Sequence, residues 1–357
     1  MSSNKAAWIL TPKANPLVVQ EAPYPSPGPG EVVIKSEVIA LNPVENNVQT
    51  YNIFQNTYPL IPGADVAGVV HELGEGVSHV KKGQRVIGYC MGLGLNDNRF
   101  AAYQHYCLVH ETLVAPVPDN ARLADAVVLP LAITTVSTSL YHPDHLSLPL
   151  PQKQPVDTGK TIFIWGGSSS VGATAIQLSV ASGLKVVATA SKRNHDLVKS
   201  LGASIVLDYN SPSIVDDAVT ALKDHDLVAC YDAISEPQTI APLGAILDQL
   251  GACDVCFVVP PRGEISKNIK WTISLAFELL NERGRPISEY IWKKFVPEAL
   301  KEGRLQTKPD PVIVGKGLKS IQEGLNKLQK GVSAQKFVIE SNIEANIILH
   351  FMPIERS

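Results

Sequence analysis

The chain has 357 residues and a mass of 38.5 kDa, and its 31 basic against 34 acidic side chains give a formal net charge of −3. This length predicts two domains of ordinary size, and 45% hydrophobic with 18% charged residues predicts a globular protein, not a disordered one. No block of Lys or Arg suits nucleic acid, and no run approaches the ~18 consecutive apolar residues of a membrane span. We therefore expect no nucleic-acid partner and no membrane, which leaves small molecules or other proteins as ligands.

The five cysteines are an odd number scattered through the chain, which does not fit a disulfide framework. Such usage favours a reducing compartment. The first residues, MSSNKAAWIL, lack the apolar stretch of ~7 to 15 residues found in a signal peptide. The expected location is cytoplasmic.

Residues 1–125 predict a β-rich domain. Apolar, β-branched runs surround a Pro/Gly cluster in LVVQEAPYPSPGPGEVVIKSEVIALNP, and the pattern returns with Gly turns in DVAGVVHELGEGV and KKGQRVIGYC. Runs of five or six residues broken by Gly and Pro are typical of a small barrel or sandwich.

The pattern changes between Thr161 and Val259. Five short apolar runs, TIFIW, LKVVATA, ASIVLDY, DLVACYDA and ACDVCFVV, alternate there with helical stretches such as VGATAIQLSVASG. Strands and helices that alternate at this spacing predict a doubly wound parallel sheet. The proline-rich stretch from Tyr141 to Gly159 predicts an extended surface connection ahead of it.

The last part of the chain predicts helices and then a return to strands. KNIKWTISLAFELLNERGRPISEYIWKKFVPEALKEGRL has the apolar spacing of one or more amphipathic helices, and the strands PVIVG and QKFVIE flank a helix that stops at Gly331. An order of β, α/β and β predicts that residues 126–304 are inserted into a domain formed by residues 1–125 and 305–357. The first and last segments should then meet in space.

A glycine- and serine-rich loop, GGSSSVG, follows the strand TIFIW and precedes a helix. This is the context in which G-x-G-x-x-G binds a dinucleotide, with Gly167, Ser169 and Gly172 at the three glycine positions. Serine replaces the middle glycine, yet the three serines offer hydroxyls to phosphate oxygens and the helix N-terminus favours an anion. A tight turn without nucleotide is the alternative, and this degenerate motif alone does not separate the two.

The next strand ends at Ser191, where an NAD-specific site would place an acid for the ribose 2′-hydroxyl. The sequence has Ser191, Lys192 and Arg193 there, and two cations with a hydroxyl suit a 2′-phosphate. This favours NADPH as the cofactor. The alternative is that the two cations merely begin a solvated helix.

Several segments together resemble the medium-chain dehydrogenase/reductase superfamily. They are LNPVENNVQ, YPLIPGADVAGVVHELGEGVSHVKKGQRV, GGSSSVGATAIQLSVASGLKVVATAS, SLGASIVLDY and GVSAQKFVIE, and they follow one another in the family's order over nearly the whole chain. The chain looks most similar to the zinc-free quinone oxidoreductase and trans-acting enoyl reductase branch of fungal secondary metabolism. The resemblance implies a GroES-like β domain with an inserted Rossmann domain, a doubly wound parallel sheet.

The resemblance also implies that no metal is bound. Zinc-dependent relatives need a Cys, a His-Glu pair and a further ligand, whereas this chain has Gly63, Ala64 and Asp65 at the Gly-His-Glu position. The early Cys position falls within residues 42–45, and the lobe region 92–100 has no cysteine. Cys253 and Cys256 form a lone C-x-x-C in an apolar strand, for which packing is the stronger interpretation.

Carried over residue by residue, the resemblance implies three sets of site residues. The cofactor contacts are Pro43, Val44, Glu45, Asn46, Gly167, Ser168, Ser169, Ser170, Val171, Gly172, Ser191, Lys192, Arg193, Asn194, Tyr209, Val258, Val259, Ser333, Ala334 and Lys336. The substrate would lie between the domains near Leu129, Pro130, Leu131, Ala132, Thr134, Thr135, Val136, Thr272, Leu275 and Phe277. The third set is catalytic.

The catalytic candidates are Asn47 and Tyr51. Many relatives carry a Tyr or Lys at the position of Asn47, and Asn cannot act as a general acid at neutral pH. If an alkene is reduced, the enolate needs a hydrogen-bond donor and then a proton. The donor could be Asn47, a backbone amide or a ribose hydroxyl, and the proton could come from water or Tyr51.

The leading hypothesis is a zinc-independent, NADPH-dependent enoyl reductase for a free or carrier-bound enone, with a polyketide synthase as a conceivable partner. The alternatives are a metal-free secondary alcohol dehydrogenase or ketone reductase, and an NADPH-binding protein without turnover. Both a monomer and a homodimer are compatible with the sequence, and the apolar run ACDVCFVV would suit a dimer formed by edge strands.

Overall fold

The computed structural model describes residues 3–54 and 56–341. Its first part contains seven strands. Local sequence determines where the first helix begins: Asn42 is the N-cap, Pro43 follows it, and the Glu45 carboxylate accepts a hydrogen bond from the Asn42 N–H in a capping box. The elements are β1 (Asn4–Trp8), β2 (Val18–Ala22), β3 (Glu31–Ala40), α1 (Pro43–Tyr51), β4 (Asp65–Leu73), β5 (Arg85–Tyr89), α2 (Gly92–Leu95), β6 (Tyr106–His110), β7 (Val114–Pro116) and α3 (Leu123–Ala126).

The second part alternates helices and strands. Its elements are α4 (Pro130–Tyr141), β8 (Lys160–Trp165), α5 (Ser170–Ala181), β9 (Lys185–Ala190), α6 (His195–Ser200), β10 (Ile205–Asp208), α7 (Ile214–Leu222), β11 (Asp226–Asp232), α8 (Pro237–Leu250), β12 (Cys253–Phe257) and β13 (Ile269–Ile273). The six strands are parallel and lie in the order β10-β9-β8-β11-β12-β13. This is the doubly wound order of a dinucleotide-binding sheet, which confirms the predicted fold class.

The last part returns to the first sheet. It comprises α9 (Arg285–Tyr290), α10 (Val296–Lys301), β14 (Asp310–Lys316), α11 (Ile321–Gln329) and β15 (Gln335–Glu340), and Gly331 follows α11 at a φ of 90°. Strand β15 pairs with β14 and, antiparallel, with β3, so the first and last segments meet as predicted. The larger sheet has the order β14-β15-β3-β4-β5-β7, with β6 also paired to β3. The domain boundaries at 125 and 305 stay a prediction.

The sixth parallel strand, β13, corrects the prediction of a helix across this segment. Residues 269–273 pair with β12 along its full length, from Cys253 opposite Ile269 to Phe257 opposite Ile273. Five residues are too few to show a period, and backbone pairing decides the structure there. Because β12 pairs with β11 on its other side, the run ACDVCFVV is internal and does not offer the edge on which the dimer argument relied. Monomer or homodimer stays a prediction.

The segment Leu123–Tyr141, which contains α3 and α4, has the length and apolar composition to cross a membrane. Of its most apolar window, 78% is buried inside the protein. A helix packed among core residues passes the same test as a membrane span. Here α4 packs against α5 of the parallel sheet and against the segment after β13, so its apolar surface is explained by the fold.

Candidate functional site

The glycine- and serine-rich loop joins β8 to α5 at the carboxyl edge of the parallel sheet. Gly166 adopts a φ of 81°, a conformation that favours glycine. A Cβ on Gly172 would overlap the carbonyl oxygen of Gly166, so the loop and the first turn of α5 leave no room for a larger residue. This close approach sets the free N–H groups of the helix at the surface, where they suit an anion.

Ser169, which replaces the middle glycine of the fingerprint, caps helix α5. Its Oγ accepts a hydrogen bond from the Gly172 N–H at 3.0 Å. Ser168, Ser170 and Val171 are half-buried around it. The substitution thus provides an N-cap, and the hydroxyls of Ser168 and Ser170 keep partly exposed positions beside the helix end.

Asn194 ties together three segments that lie far apart in the sequence. Its Nδ2 donates to Ser168 Oγ at 3.3 Å, to Ser191 Oγ at 3.1 Å and to Ser333 Oγ at 3.0 Å. The glycine-rich loop, the end of β9 and the segment before β15 therefore share one site. These are the segments in which the sequence predicted the diphosphate, the adenosine phosphate and the closing strand.

The residues 191–194, here called the cation turn, lie at the edge where β9 ends. Lys192 and Arg193 are exposed on a 3₁₀ turn, and helix α6 begins only after it. Tyr209 is also exposed and directly follows β10, whose Asp208 lies opposite Ala190 of β9. Two cations, a hydroxyl and a phenol therefore lie at the carboxyl ends of β9 and β10. Such groups suit an anionic group on the adenosine ribose of a dinucleotide.

A second polar group, here called the buried charge cluster, consists of Asn42, Glu45, Asp65 and Lys336. Lys336 Nζ lies 2.9 Å from Asp65 Oδ2 and 2.6 Å from Asn42 Oδ1. Asn42 Nδ2 donates to both carboxylates, at 3.2 Å to Glu45 Oε1 and 3.0 Å to Asp65 Oδ2. Lys336 Nζ also lies 3.5 Å from Ser170 Oγ, so the cluster touches the first residue of α5.

The cluster is buried throughout. Glu45 and Asp65 have no exposed surface, and Lys336 is 5% exposed. Desolvation, followed by the charge of Asp65, raises the pKa of Glu45 to about 7, although Asn42 and Lys336 act in the opposite direction. Two more hydrogen bonds fix the carboxylates, from the Ala64 N–H to Glu45 and from the Leu131 N–H to Asp65. The cluster therefore contains one ammonium and two desolvated carboxylates, and the Asn42 amide bridges the two carboxylates.

One prediction at this end of the site needs correction. Glu45 was expected to contact the cofactor, but its carboxylate turns back to the helix N-terminus and none of its surface is exposed. It can act on a ligand only through its neighbours. Pro43 is exposed, and Val44 and Asn46 are half-buried, so these three keep surface for a contact.

The other expected cofactor residues surround the same edge of the sheet. Gly167 is buried in the loop, Val258 is half-buried after β12 and its N–H donates to Ser235 Oγ at 2.9 Å, and Val259 is exposed. Ala334 is half-buried with a φ of 51°, which bends the chain between Ser333 and Lys336. Lys336 is the residue of this segment that reaches the helix α5.

The donor set fits a dinucleotide. A helix N-terminus, serine hydroxyls and the Lys336 ammonium would hold the diphosphate, and the cation turn would hold the adenosine phosphate. Pro43, Val44, Asn46, Val258 and Val259 would flank the nicotinamide, as the resemblance implies. These assignments stay predictions.

The residues expected to contact substrate divide by burial. Leu129, Pro130, Ala132, Thr134 and Val136 are buried in the core of α4 and present almost no surface. The surface belongs to Leu131 and Thr135 on α4 and to Thr272, Leu275 and Phe277 beyond it. On α4, only the face that carries Leu131 and Thr135 can therefore contact a substrate, because the 3.6-residue period turns the other face into the core.

Helix α1 carries both catalytic candidates. Asn47 is half-buried at the middle of the helix, and Tyr51, its last residue, is 66% exposed. Four residues apart, they lie on one side of the helix. Asn47 has the more enclosed position, and Tyr51 lies where water reaches it.

The buried charge cluster went unrecognised as a unit in the sequence. Asn42 and Lys336 are 294 positions apart, and no pattern within either segment links the two residues. One signal was present: Asn at position 42 with Glu three residues later is a capping-box pattern, which turns the glutamate towards the helix start. A lone acid within the apolar run PGADVAGVV was a second signal.

No group of three or more His, Cys, Asp and Glu side chains that could hold a metal ion occurs among residues 3–54 and 56–341. At the position of the zinc-binding relatives' histidine stands Ala64, which has no ligand atom. Within residues 42–45, where the early cysteine position falls, the Asn42 Oδ1 accepts a hydrogen bond from the Lys336 ammonium. The Lys336 ammonium thus already supplies a positive charge to the buried charge cluster.

Comparison with known proteins covers both sheets. Residues 28–119 match the Alcohol dehydrogenase GroES-like domain family. The chain is similar to Trans-enoyl reductase himH of Aspergillus japonicus, with 44% identity over 94% of this chain and 97% of the relative, and to Dehydrogenase orsE of Emericella nidulans, with 39% identity over 95% and 100%. The fold is similar to that of mycobacterial Rv1454c complexed with NADPH, with a TM-score of 0.68, 20% identity and coverage of 95% and 100%.

Proposed function

The chain belongs to the medium-chain dehydrogenase/reductase superfamily, and we propose that it is a zinc-independent, NADPH-dependent enoyl reductase of the fungal secondary-metabolism type. As a medium-chain reductase, the protein is an oxidoreductase that uses a nicotinamide cofactor. We propose in addition that this cofactor carries the 2′-phosphate of NADPH, that no metal ion takes part and that the substrate is an enone. The observation that carries it is the convergence of the glycine-rich loop, the cation turn and Ser333 on the Asn194 side chain.

The preference for NADPH rests on the charge at the end of β9. Lys192 and Arg193 are exposed cations at the position where an NAD-specific site has an acid. Ser191 adds a hydroxyl, and Tyr209 flanks the same edge. A 2′-phosphate would receive charge-assisted hydrogen bonds here, whereas Ser191, at the position of the acid, offers no carboxylate to a free 2′-hydroxyl.

The proposal of zinc independence rests on the residues that stand where zinc-dependent relatives have their metal ligands. Ala64 offers no ligand, Asn42 is bonded to an ammonium, and Glu45 accepts hydrogen bonds from two backbone N–H groups. A divalent cation would have to displace the Lys336 ammonium from Asp65 Oδ2 and Asn42 Oδ1. We therefore assign hydride transfer to this protein without a resident metal ion.

The substrate is an α,β-unsaturated carbonyl compound. When bound, the reduced nicotinamide supplies a hydride for the β-carbon of the alkene. In our proposal Asn47 Nδ2 donates a hydrogen bond to the carbonyl oxygen on which negative charge develops, and a water molecule near Tyr51 supplies the proton. Orienting the alkene beside Leu131 and Thr135 would supply much of the rate. The exposed apolar side chains of Leu275 and Phe277 suit an acyl chain, free or presented by the carrier domain of a polyketide synthase.

Mixing the purified protein with NADPH or NADH and a panel of enones, quinones and ketones tests the proposal. Loss of the reduced-nicotinamide absorbance with enones and NADPH is expected, and a metal chelator should not slow it. Oxidation with ketones alone would make the protein a ketone reductase instead. Tight NADPH binding without turnover of any compound would make it a binding protein.

Two substitutions on α1 test the assignment of Asn47. Asn47→Ala should lower kcat/KM about 10²-fold, which is the usual loss when a single donor to a developing oxyanion is removed. Tyr51→Phe is the matched control on the same helix, and it should change kcat less than about threefold, because water can replace an exposed phenol as proton source. Equal losses in the two variants would transfer the proton-donor role to Tyr51.

A further inference from the structure

The buried charge cluster lies next to the phosphate end of the proposed cofactor site but is not itself exposed to it. Lys336 is the one member that reaches across, with its Nζ 3.5 Å from Ser170 Oγ at the start of α5. Asp65 and Asn42 hold the ammonium from behind. The position of this charge is thus determined by side chains that have no surface of their own.

The cluster contains more negative than positive charge. Glu45 and Asp65 supply two carboxylates and Lys336 supplies one ammonium, all almost completely buried. A single Asn42 Nδ2 bonds both carboxylates, which keeps them close to each other. Like charges that share a site in a low dielectric favour binding of a proton by one of them.

Titratable side chains from four neighbouring segments lie close to Glu45. Besides Asp65 of β4 and Lys336 of β15, they are Tyr89 at the end of β5 and Tyr103 before β6. Burial, followed by the carboxylate charges, raises the pKa of both phenols, so they stay neutral. Lys336 is therefore the only cation among the residues that the structure places against Glu45.

We propose that the Glu45–Asp65 pair positions Lys336 for the cofactor diphosphate and takes up one proton from solvent when a dinucleotide binds. The inference rests on the proposed cofactor site. A diphosphate beside Ser170 shares the Lys336 ammonium with Asp65, which leaves two buried carboxylates with less positive charge near them. A proton on the pair restores the balance: a carboxylate becomes a carboxylic acid, and no other bond changes.

The pair titrates where this exchange can be measured. Because the pKa of Glu45 is about 7 without ligand, its carboxyl group is mainly ionised above that pH, and dinucleotide binding should then bring a proton with it. The dissociation constant should therefore be nearly constant below about pH 7 and rise up to tenfold per pH unit above it. Affinity is lost as the pH rises, since the proton becomes scarcer.

Isothermal titration of the full chain with NADPH and with NADH, in buffers of different ionisation enthalpy at about pH 7.5, counts the protons. We expect uptake of roughly three-quarters of a proton with both dinucleotides, because about a quarter of the Glu45 carboxyl groups already carry a proton at this pH. NADH serves as the control for the cation turn, because it lacks the 2′-phosphate. Glu45→Gln should abolish the uptake and flatten the pH profile of the dissociation constant, whereas Glu323→Gln on the exposed side of α11 should leave both unchanged.

Several results would overturn the proposal. Uptake with NADPH alone would assign the proton to the 2′-phosphate end, and unchanged uptake in Glu45→Gln would place it outside the pair. If Glu45→Gln does not fold, the comparison of the two dinucleotides on the natural chain still decides, since zero uptake with either contradicts the inference. Failure of both dinucleotides to bind overturns the proposed function as well, and binding without uptake overturns only this inference.

Discussion

The two ends of the proposed cofactor site are built in opposite ways. The cation turn is four consecutive residues on the surface, with Lys192 and Arg193 in solvent. The buried charge cluster combines α1, β4 and β15, and its charges are out of reach of water. An exposed charge is available to a ligand without supporting the fold, whereas a buried charge must first be compensated by the fold itself.

Because of this difference, substitutions at the two ends should affect ligand affinity and the free energy of unfolding differently. Substitutions of the exposed cations Lys192 and Arg193 should change affinity and leave the free energy of unfolding as it is. Substitutions in the buried charge cluster should change both, because an unpaired buried charge destabilises the folded state whether or not a ligand is present.

The largest effect is expected for Asp65→Ala. The change leaves the Lys336 ammonium 5% exposed without its carboxylate and removes the acceptor of the Leu131 N–H. Breaking one partner of a buried pair typically costs about 3–5 kcal/mol, and urea denaturation should show a loss of this size. Adding Lys336→Met should restore part of it, since the unpaired charge is then gone. A single variant as stable as the natural chain would mean that water reaches the pair.

A smaller effect, confined to binding, is expected for the double variant Lys192→Ala with Arg193→Ala. Loss of charge-assisted hydrogen bonds of about 1.5–3 kcal/mol should raise the dissociation constant for NADPH roughly 10- to 100-fold. The constant for NADH and the melting temperature should stay unchanged. Fluorescence titration measures both cofactors, and Lys199→Ala, an exposed cation of α6, is the matched control. Equal losses for NADPH and NADH would move the cation turn away from the 2′-phosphate.

The same division explains what the sequence could predict. The parallel sheet, the loop before α5 and the cation turn depend on patterns within a few residues, such as strand-to-helix alternation and a glycine-rich turn. Ser169 as the cap of α5 and Lys192 as an exposed cation follow from their neighbours in the chain. For such features, local chemistry decides the structure.

Features that depend on distant segments could not be predicted in this way. Strand β13 forms because β12 offers it a backbone edge, and its own five residues carry no clear period. Lys336 meets Asn42 and Asp65 only because β15 returns to β3 at the end of the chain. Five of the seven expected substrate contacts on and just before α4 are buried for a similar reason, since packing against α5 decides which face is exposed. Tertiary packing sets these positions, and a single sequence does not display it.

The smallest effect expected is a change in how stability depends on pH. Burial raises the pKa of Glu45 from its ordinary 4.5 to about 7, so between these values the folded protein keeps a proton that the unfolded chain has released. The stability that this group contributes is therefore complete below about pH 4.5 and is lost as the pH rises to about 7. Over the last unit, from about pH 6 to 7, the loss should be roughly 1 kcal/mol.

Glu45→Gln should remove this contribution, because glutamine does not titrate. Urea denaturation of the ligand-free protein at several pH values between about 5 and 8 would then give a flatter profile than that of the natural chain. Glu323→Gln, at an exposed ion pair of α11, should reproduce the natural profile. If Glu45→Gln keeps the natural slope, the group that titrates over this range is not Glu45, which contradicts the prediction. If the ligand-free protein shows no slope over this range, the cluster does not titrate near neutral pH, and the buried end of the site behaves like the exposed one.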